Sequence, residues 1–313
     1  MIMKTMRFFE TGDPSVLMLD DVETPTPAAG QVLLRVAGAG VNPADNGIRF
    51  GRLPIPITLP HTPGYDASGT VISVGDGVTE VAVGDEVVGF LPMTDDGAAA
   101  EYVIAPAEAL VSAPTSIALA DAAGLPSVAL TAWQALFEYA DLHAGQRIVI
   151  TGAGGVVGLH AVRLAKRAGA HVIATATGRS RAAVADAGAD QVIDHTTTSA
   201  ASVVDEPVDV VLNLAPISAE EFVALAARVR DGGVVVSTTA WMATPSDEAR
   251  GVRGVTVFVR SDRDQLAELV RLVDSGELRV DIAERIPLAA LPEVHARLEA
   301  GQVHGKIVVT PTA

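Results

Sequence analysis

An apolar run, Arg147-Ile148-Val149-Ile150, leads into Thr151-Gly152-Ala153-Gly154-Gly155-Val156-Val157-Gly158, and an amphipathic stretch over 157–168, stopped by Gly169, follows at once. This order of apolar run, glycine turn and helix constrains the fold more than any other feature. A parallel strand buried on both faces reads as a continuous apolar run, and it needs a crossover helix to return to its sheet. The pattern then recurs. Apolar runs near 148–151, 172–175, 191–193, 208–212, 234–237 and 255–259 alternate with helical stretches at 181–187, stopped by Gly188, and 219–229, stopped by Gly232. Six strands with helices between them predict an α/β fold containing a doubly wound six-stranded Rossmann domain.

The glycine loop has a chemistry of its own. Glycines let the backbone turn tightly and approach a pyrophosphate, while the free N–H groups and positive dipole end of the following helix receive its charge. Both Gly152-x-Gly154 and Ala153-x-Gly155-x-x-Gly158 can be written over the loop, the second with alanine where the strict fingerprint has glycine. Its place at the first strand of the series favours dinucleotide binding by Gly152, Gly154, Gly155, Val156, Val157 and Gly158 over a structural turn. A cofactor with a free ribose 2′-hydroxyl normally meets Asp or Glu about 20 residues later. Here the stretch reads Ala174-Thr175-Ala176-Thr177-Gly178-Arg179-Ser180-Arg181, with no carboxylate and two guanidiniums. Arginine grips a phosphate with two parallel N–H bonds. The expected cofactor is therefore NADP(H), with Thr177, Gly178, Arg179 and Arg181 around the 2′-phosphate. Two solvated arginines opening a helix is the rival reading for at least one of them. His195 reads either as a border of the same adenosine site or as a loop histidine without a role.

From the start to about residue 120 the texture differs. Short β-prone runs, such as Val32-Leu33-Leu34-Arg35-Val36 and Thr70-Val71-Ile72-Ser73-Val74, are broken by turn signals such as Gly75-Asp76-Gly77, as in a compact antiparallel barrel. The last stretch, from about residue 260, predicts helices at 265–274 and 292–300 and a strand at 306–309, and it could close either domain.

Composition removes several function classes. With no cysteine there is no disulfide, no catalytic thiolate and no thiolate-bound metal. None of the seven histidines forms a His-x₃-His or His-Glu pair, and no Gly-x-Ser-x-Gly elbow is present. A net charge of −16 without a basic stripe disfavours nucleic acid and anionic membrane as partners. No uncharged apolar run reaches the roughly 18–20 residues of a membrane span, and the start lacks a signal peptide's apolar core. A cytoplasmic location is expected. Gly38-Ala39-Gly40-Val41-Asn42-Pro43-Ala44-Asp45 and Pro63-Gly64-Tyr65-Asp66-Ala67-Ser68-Gly69 stand out, although each reads equally well as a turn.

Those two stretches, with Val83-Gly84-Asp85-Glu86-Val87-Val88-Gly89, Ala100-Glu101-Tyr102-Val103, Leu130-Thr131-Ala132-Trp133, the glycine loop, Gly188-Ala189-Asp190 and Gly305-Lys306-Ile307-Val308, resemble the medium-chain dehydrogenase/reductase superfamily. Within it they resemble the zinc-independent quinone oxidoreductase branch related to zeta-crystallin. The resemblance spans nearly the whole chain. It implies a GroES-like β-rich catalytic domain from residues 1–120 and 259–313, with an NADP(H)-binding Rossmann domain at 121–258 between them. It implies no metal, since the zinc ligands of related alcohol dehydrogenases fall where Asn42 and Tyr65 stand. It places Asn42 beside the nicotinamide and the substrate carbonyl, Thr131 at the carboxamide, and Asn213, Leu214, Ala215, Ser237 and Thr238 along the nicotinamide ribose. One departure matters: Gly47 and Leu53 occupy positions where some members carry a pair of tyrosines. The implied reaction is hydride transfer from NADPH to a quinone or activated enone. An enoyl reductase on another unsaturated substrate and a non-catalytic NADPH-binding sensor or structural protein are the alternatives. A homodimer is expected, because the apolar run at 255–259 would form an open sheet edge.

Overall fold

The short β-prone runs of the first third become strands, several of them buried on both faces. In a computed structural model describing residues 1–311 they form β1 (Ile2–Phe8) and β2 (Leu17–Glu23), an antiparallel pair. β3 (Gln31–Val41), β4 (Asp66–Val74), β5 (Glu86–Phe90), β6 (Tyr102–Pro106) and β7 (Leu110–Ser112) form a larger sheet, in which β4 and β6 pair with β3, β5 with β4 and β7 with β5, all antiparallel. β3 is the spine of this unit. Val32, Leu34 and Val36 are buried along it, and its register with β4 shifts between Val36 and Gly38. Beyond that shift, Gly38 and Gly40 lie under the short helix Leu119–Ala122 and the residue after it. A methyl on Gly38 would overlap the Ala120 carbonyl, and one on Gly40 the Ala123 carbonyl.

The second unit, Val128–Arg260, is built on β8 (Arg147–Thr151), β9 (His171–Ala176), β10 (Gln191–Asp194), β11 (Val208–Asn213), β12 (Val229–Ser237) and β13 (Arg253–Thr256). All six are parallel, in the order β10-β9-β8-β11-β12-β13. The chain therefore reverses its direction of growth between β8 and β11, the crevice where open α/β sheets bind ligands at the carboxyl ends of the strands. Val149, Ile173, Val211 and Val235 of the sheet share a core with Phe222 and Leu225 of the helix Ala219–Ala226.

β14 (Ile282–Pro287) and β15 (Lys306–Thr310) then return to the first unit. β15 lies between β14, to which it is parallel, and β3, to which it is antiparallel. Of the two domains it could have closed, the final stretch closes the first. It also carries the helices Arg263–Asp274 and Leu291–Glu299.

Three boundaries differ from the sequence reading. The seams between units fall at 127/128 and 260/261 rather than 120/121 and 258/259, because the helix Leu119–Ala122 packs on β3 and Ser127 is hydrogen-bonded to Asp66 of β4. The helix expected over 219–229 ends at Ala226. Gly232, read as its stop, sits instead inside β12 at φ +75°, where the pairing skips from Val208/Val229 to Val210/Val234. The sixth strand is Arg253–Thr256 rather than 255–259. After it the Val257 N–H still reaches the Ser237 carbonyl at 2.8 Å, but Phe258 is 64% exposed.

Candidate functional site

In the second unit, the carboxyl ends of β8, β11 and β12 carry a polar network. Thr151 Oγ1 donates to Asn213 Oδ1 at 2.6 Å, and Asn213 Nδ2 reaches Ser237 Oγ at 3.3 Å and Thr239 Oγ1 at 3.0 Å. Ser237 and Thr239 hydroxyls are 2.7 Å apart. All four residues are buried, so the low local dielectric strengthens bonds that are all satisfied. Thr239, two residues past the end of β12, is brought to Ser237 by the bond between their hydroxyls and by its own N–H, which donates to Ser237 Oγ at 3.2 Å. Thr238, Leu214 and Ala215 sit half-exposed around this floor.

Above β8 the glycine loop is closely packed. Gly152 takes φ +69°, a conformation that side chains avoid. A Cβ on Gly154 would lie 2.5 Å from Ser180 Cβ, and one on Gly158 would lie 2.5 Å from Ala153 Cα and 2.7 Å from its carbonyl carbon. The helix Val156–Arg167 begins at Gly155 without a side-chain cap, so its first N–H groups are offered to a ligand. Ser180 ties the loop after β9 to itself, accepting from Thr177 N–H at 3.1 Å. Arg181 Nη1 donates to the Val192 carbonyl at 3.2 Å. Gly178, Arg179 and His195 are exposed and Thr131, on the helix Pro126–Trp133, is half-exposed.

In the first unit, Asn42 ends the turn out of β3 and precedes the helix Pro43–Arg49. Its Nδ2 donates to Asp66 Oδ2 at 2.9 Å, and its Oδ1 accepts from Lys306 Nζ at 2.6 Å. Lys306 also pairs with Asp66 at 2.9 Å, at 2% and 0% side-chain exposure. Asp66 further accepts the N–H and hydroxyl of Ser127, both at 2.7 Å. Asn42 itself remains half-exposed, the outer member of a sealed charged cluster. Sequence reasoning singled out Asn42 but gave Asp66 and Lys306 no role. The available signal was a lone charge at the head of each of two apolar strands, Asp66 on β4 and Lys306 on β15.

Asp45 holds the two segments together, accepting from Asn42 N–H at 2.7 Å and Gly64 N–H at 3.0 Å. Burial pushes its carboxyl up to about 6, against the two backbone donors and the Lys306 charge. Asp45 and His295 both line a cavity of about 10 Å³. Arg49 Nε, which can only donate, reaches His295 Nδ1 at 3.2 Å. The ring proton is therefore on Nε2, a buried atom without a partner among the described residues. Burial, with Arg49 beside it, pushes His295 down to about 3. Tyr65 is buried with its hydroxyl 2.8 Å from His61 Nε2, and burial pushes the phenol well up. Gly47 and Leu53 form one locus: a Cβ on Gly47 would meet Leu53 Cγ at 2.8 Å.

Residues 28–115 match the family described as alcohol dehydrogenase GroES-like domain, and residues 187–309 the one described as zinc-binding dehydrogenase. A chloroplastic quinone-oxidoreductase homolog of Spinacia oleracea is 32% identical over 96% of this chain and 95% of its own length. The chain belongs to the medium-chain dehydrogenase/reductase superfamily. Other members of the superfamily similar to it are the quinone oxidoreductase of Homo sapiens, 29% identical over 98% of each chain, and the solved quinone oxidoreductase of Coxiella burnetii, 30% identical with a TM-score of 0.89 over 99% of each. Membership makes the protein an oxidoreductase and implies a nicotinamide cofactor. The glycine cradle and uncapped helix of the second unit fit a dinucleotide. The zinc in the description of residues 187–309 finds no such fit: Asn42 Oδ1 is taken by Lys306, Tyr65 points to His61, and among the described residues no three His, Asp or Glu side chains gather as metal ligands. Among the described residues no helix is long and apolar enough to cross a membrane.

Proposed function

We propose that the protein reduces a quinone or an activated enone with NADPH, without a metal. The observation that carries this reading is Asn42. Where related dehydrogenases hold a metal-ligand side chain, this chain offers an amide N–H, which suits an acceptor oxygen gaining negative charge.

When bound, the nicotinamide supplies the hydride, and the chain's residues arrange the rest. The first N–H groups of the helix Val156–Arg167 and the backbone of Gly152–Gly158 hold the pyrophosphate. Thr177, Gly178, Arg179 and Arg181 follow β9 where a 2′-phosphate is expected, and an arginine fork there suits a phosphate. Leu214, Ala215 and Thr238 support the ribose over the floor formed by Asn213 and Ser237. Asn42 hydrogen-bonds the acceptor oxygen. A hydroquinone oxyanion takes its proton readily from solvent, so no side-chain acid is required.

The test follows NADPH loss with 1,4-benzoquinone, 9,10-phenanthrenequinone, a short enone and an enoyl thioester, in parallel with NADH and with chelator. Chelator-insensitive turnover on a quinone with NADPH preferred supports the reading. Turnover confined to the thioester favours an enoyl reductase, and saturable binding without turnover favours a sensor. Arg179→Ala is expected to raise the KM for NADPH roughly tenfold with little effect on NADH, in line with the loss of a charged bidentate contact. An unchanged preference counts against the assignment. The same reading takes the protein as a homodimer paired through β13, the last strand in its sheet's order, near the exposed Phe258 and Trp241. Light scattering on the eluted protein tests this, and a monomer counts against it.

A further inference from the structure

A side-chain amide can lie in either of two orientations, and only one presents N–H where an acceptor oxygen needs it. Asn42 is held by two groups that each accept only one answer. Lys306 Nζ has protons and no lone pair, so the atom 2.6 Å from it is the amide oxygen. Asp66 Oδ2, as the carboxylate of the ion pair, accepts, so the atom 2.9 Å from it is the amide nitrogen. Exchanging the amide's ends would set Nδ2 against an ammonium and Oδ1 against a carboxylate, two repulsive contacts in a sealed environment. One N–H of Nδ2 is thereby consumed. The other has no partner among the described residues, and Asn42 is half-exposed while the pair behind it is buried. Room for the lysine is built into β3: a Cβ on Gly40 would lie 2.9 Å from Asp66 Cβ and 3.0 Å from Lys306 Cε.

We infer that Lys306 is a positioning residue, which together with Asp66 fixes the Asn42 amide so that its second N–H is the group offered to the acceptor oxygen. This rests on the proposed reaction for its catalytic consequence, though not for the geometry. It makes the site a donor toward carbonyl-type acceptors and a poor partner for a substrate that must itself donate a proton to Asn42.

The experiment is a double-mutant cycle on kcat for 1,4-benzoquinone with Lys306→Met, Asn42→Ala and the double variant, with NADPH affinity measured separately by fluorescence. Acting through Asn42, Lys306→Met lowers kcat by about tenfold or more in the wild-type background. It changes kcat less than about twofold once Asn42 is Ala, because the shared interaction is already gone. Lys306→Met leaves NADPH affinity the same in either background. An equal loss in both backgrounds, or no loss in either, overturns the inference. If Lys306→Met does not fold, the wild-type protein decides by NMR. The Asn42 side-chain amide, assigned by its loss in Asn42→Ala, is expected to give two resolved protons, the one bonded to Asp66 in slow exchange with solvent and the outward one exchanging faster. Exchange of both protons at the rate of a free amide overturns the lock. Should the wild-type protein reduce no acceptor, the proposed function falls, while the amide signals still decide the lock.

Discussion

Each unit centres on an asparagine held at both ends of its amide, and the two are held by opposite means. Asn213 is surrounded by hydroxyls of Thr151, Ser237 and Thr239, all neutral and all at the ends of strands that one sheet brings together. Asn42 is held by a buried ion pair whose members lie on β4 and β15. A hydroxyl both donates and accepts, so the neutral network adapts to a lost bond. A buried charge cannot, and the charged cluster fixes orientation at a greater cost when broken.

The largest expected effect is Asp66→Ala. It leaves Lys306 and the Ser127 N–H buried without their acceptor and should cost about 3–5 kcal/mol in chemical denaturation. A loss no larger than that of a hydroxyl would erase the distinction between the two networks. Gly158→Ala comes next on the neutral side. Its methyl meets the Ala153 backbone and should cost about 1–3 kcal/mol as overpacking, along with NADPH affinity. Gly178→Ala, with nothing within 4 Å of the added carbon, should be silent in stability. Asn213→Ala leaves three hydroxyls to re-pair among themselves. It should cost about 1–3 kcal/mol, less than Asp66→Ala, by the same denaturation assay.

A different kind of effect, a pH dependence, is confined to the charged side. Asp45 has its carboxyl raised by burial to about 6, above the roughly 3.9 of an unfolded chain. The folded state therefore holds this proton more tightly. The stabilisation is complete below the unfolded value and is lost as pH rises to about 6. His295 works in the opposite sense. It is lowered from 6.5 to about 3, and its contribution is lost as pH falls below 6.5. Comparing wild type with Asp45→Asn isolates the carboxyl: the variant should gain stability relative to wild type between about pH 4 and 6 and show no further change above. A flat difference would mean that Asp45 titrates normally. Asn213→Ala should show no such window.

The same contrast governs what could be read from sequence. The Rossmann strands are legible because each is a continuous apolar run with a helix to follow, and Asn213 and Ser237, named through the family resemblance, stand at the ends of two such runs. Asp66 and Lys306 were visible only as parts of the Gly64–Gly69 and Gly305–Val308 segments, since nothing local pairs residues 240 positions apart. β12 misled for a local reason: Gly232 has the residue type of a helix stop, and only the pairing with β11 shows it to be an irregularity inside a strand.

Lys306 also has a meaning in time. The residues from Val128 to Arg260 are contiguous and need no other part of the chain to complete their sheet. β3 and β4 emerge early during synthesis, yet the fifteenth strand must arrive before residues 39–41 of β3, which β6 does not reach, gain a second sheet neighbour and Asp66 its counter-ion. On the ribosome, the interrupted unit would hold an unpaired carboxylate and an open edge on β3 until β15 emerges, while the inserted unit is already folded.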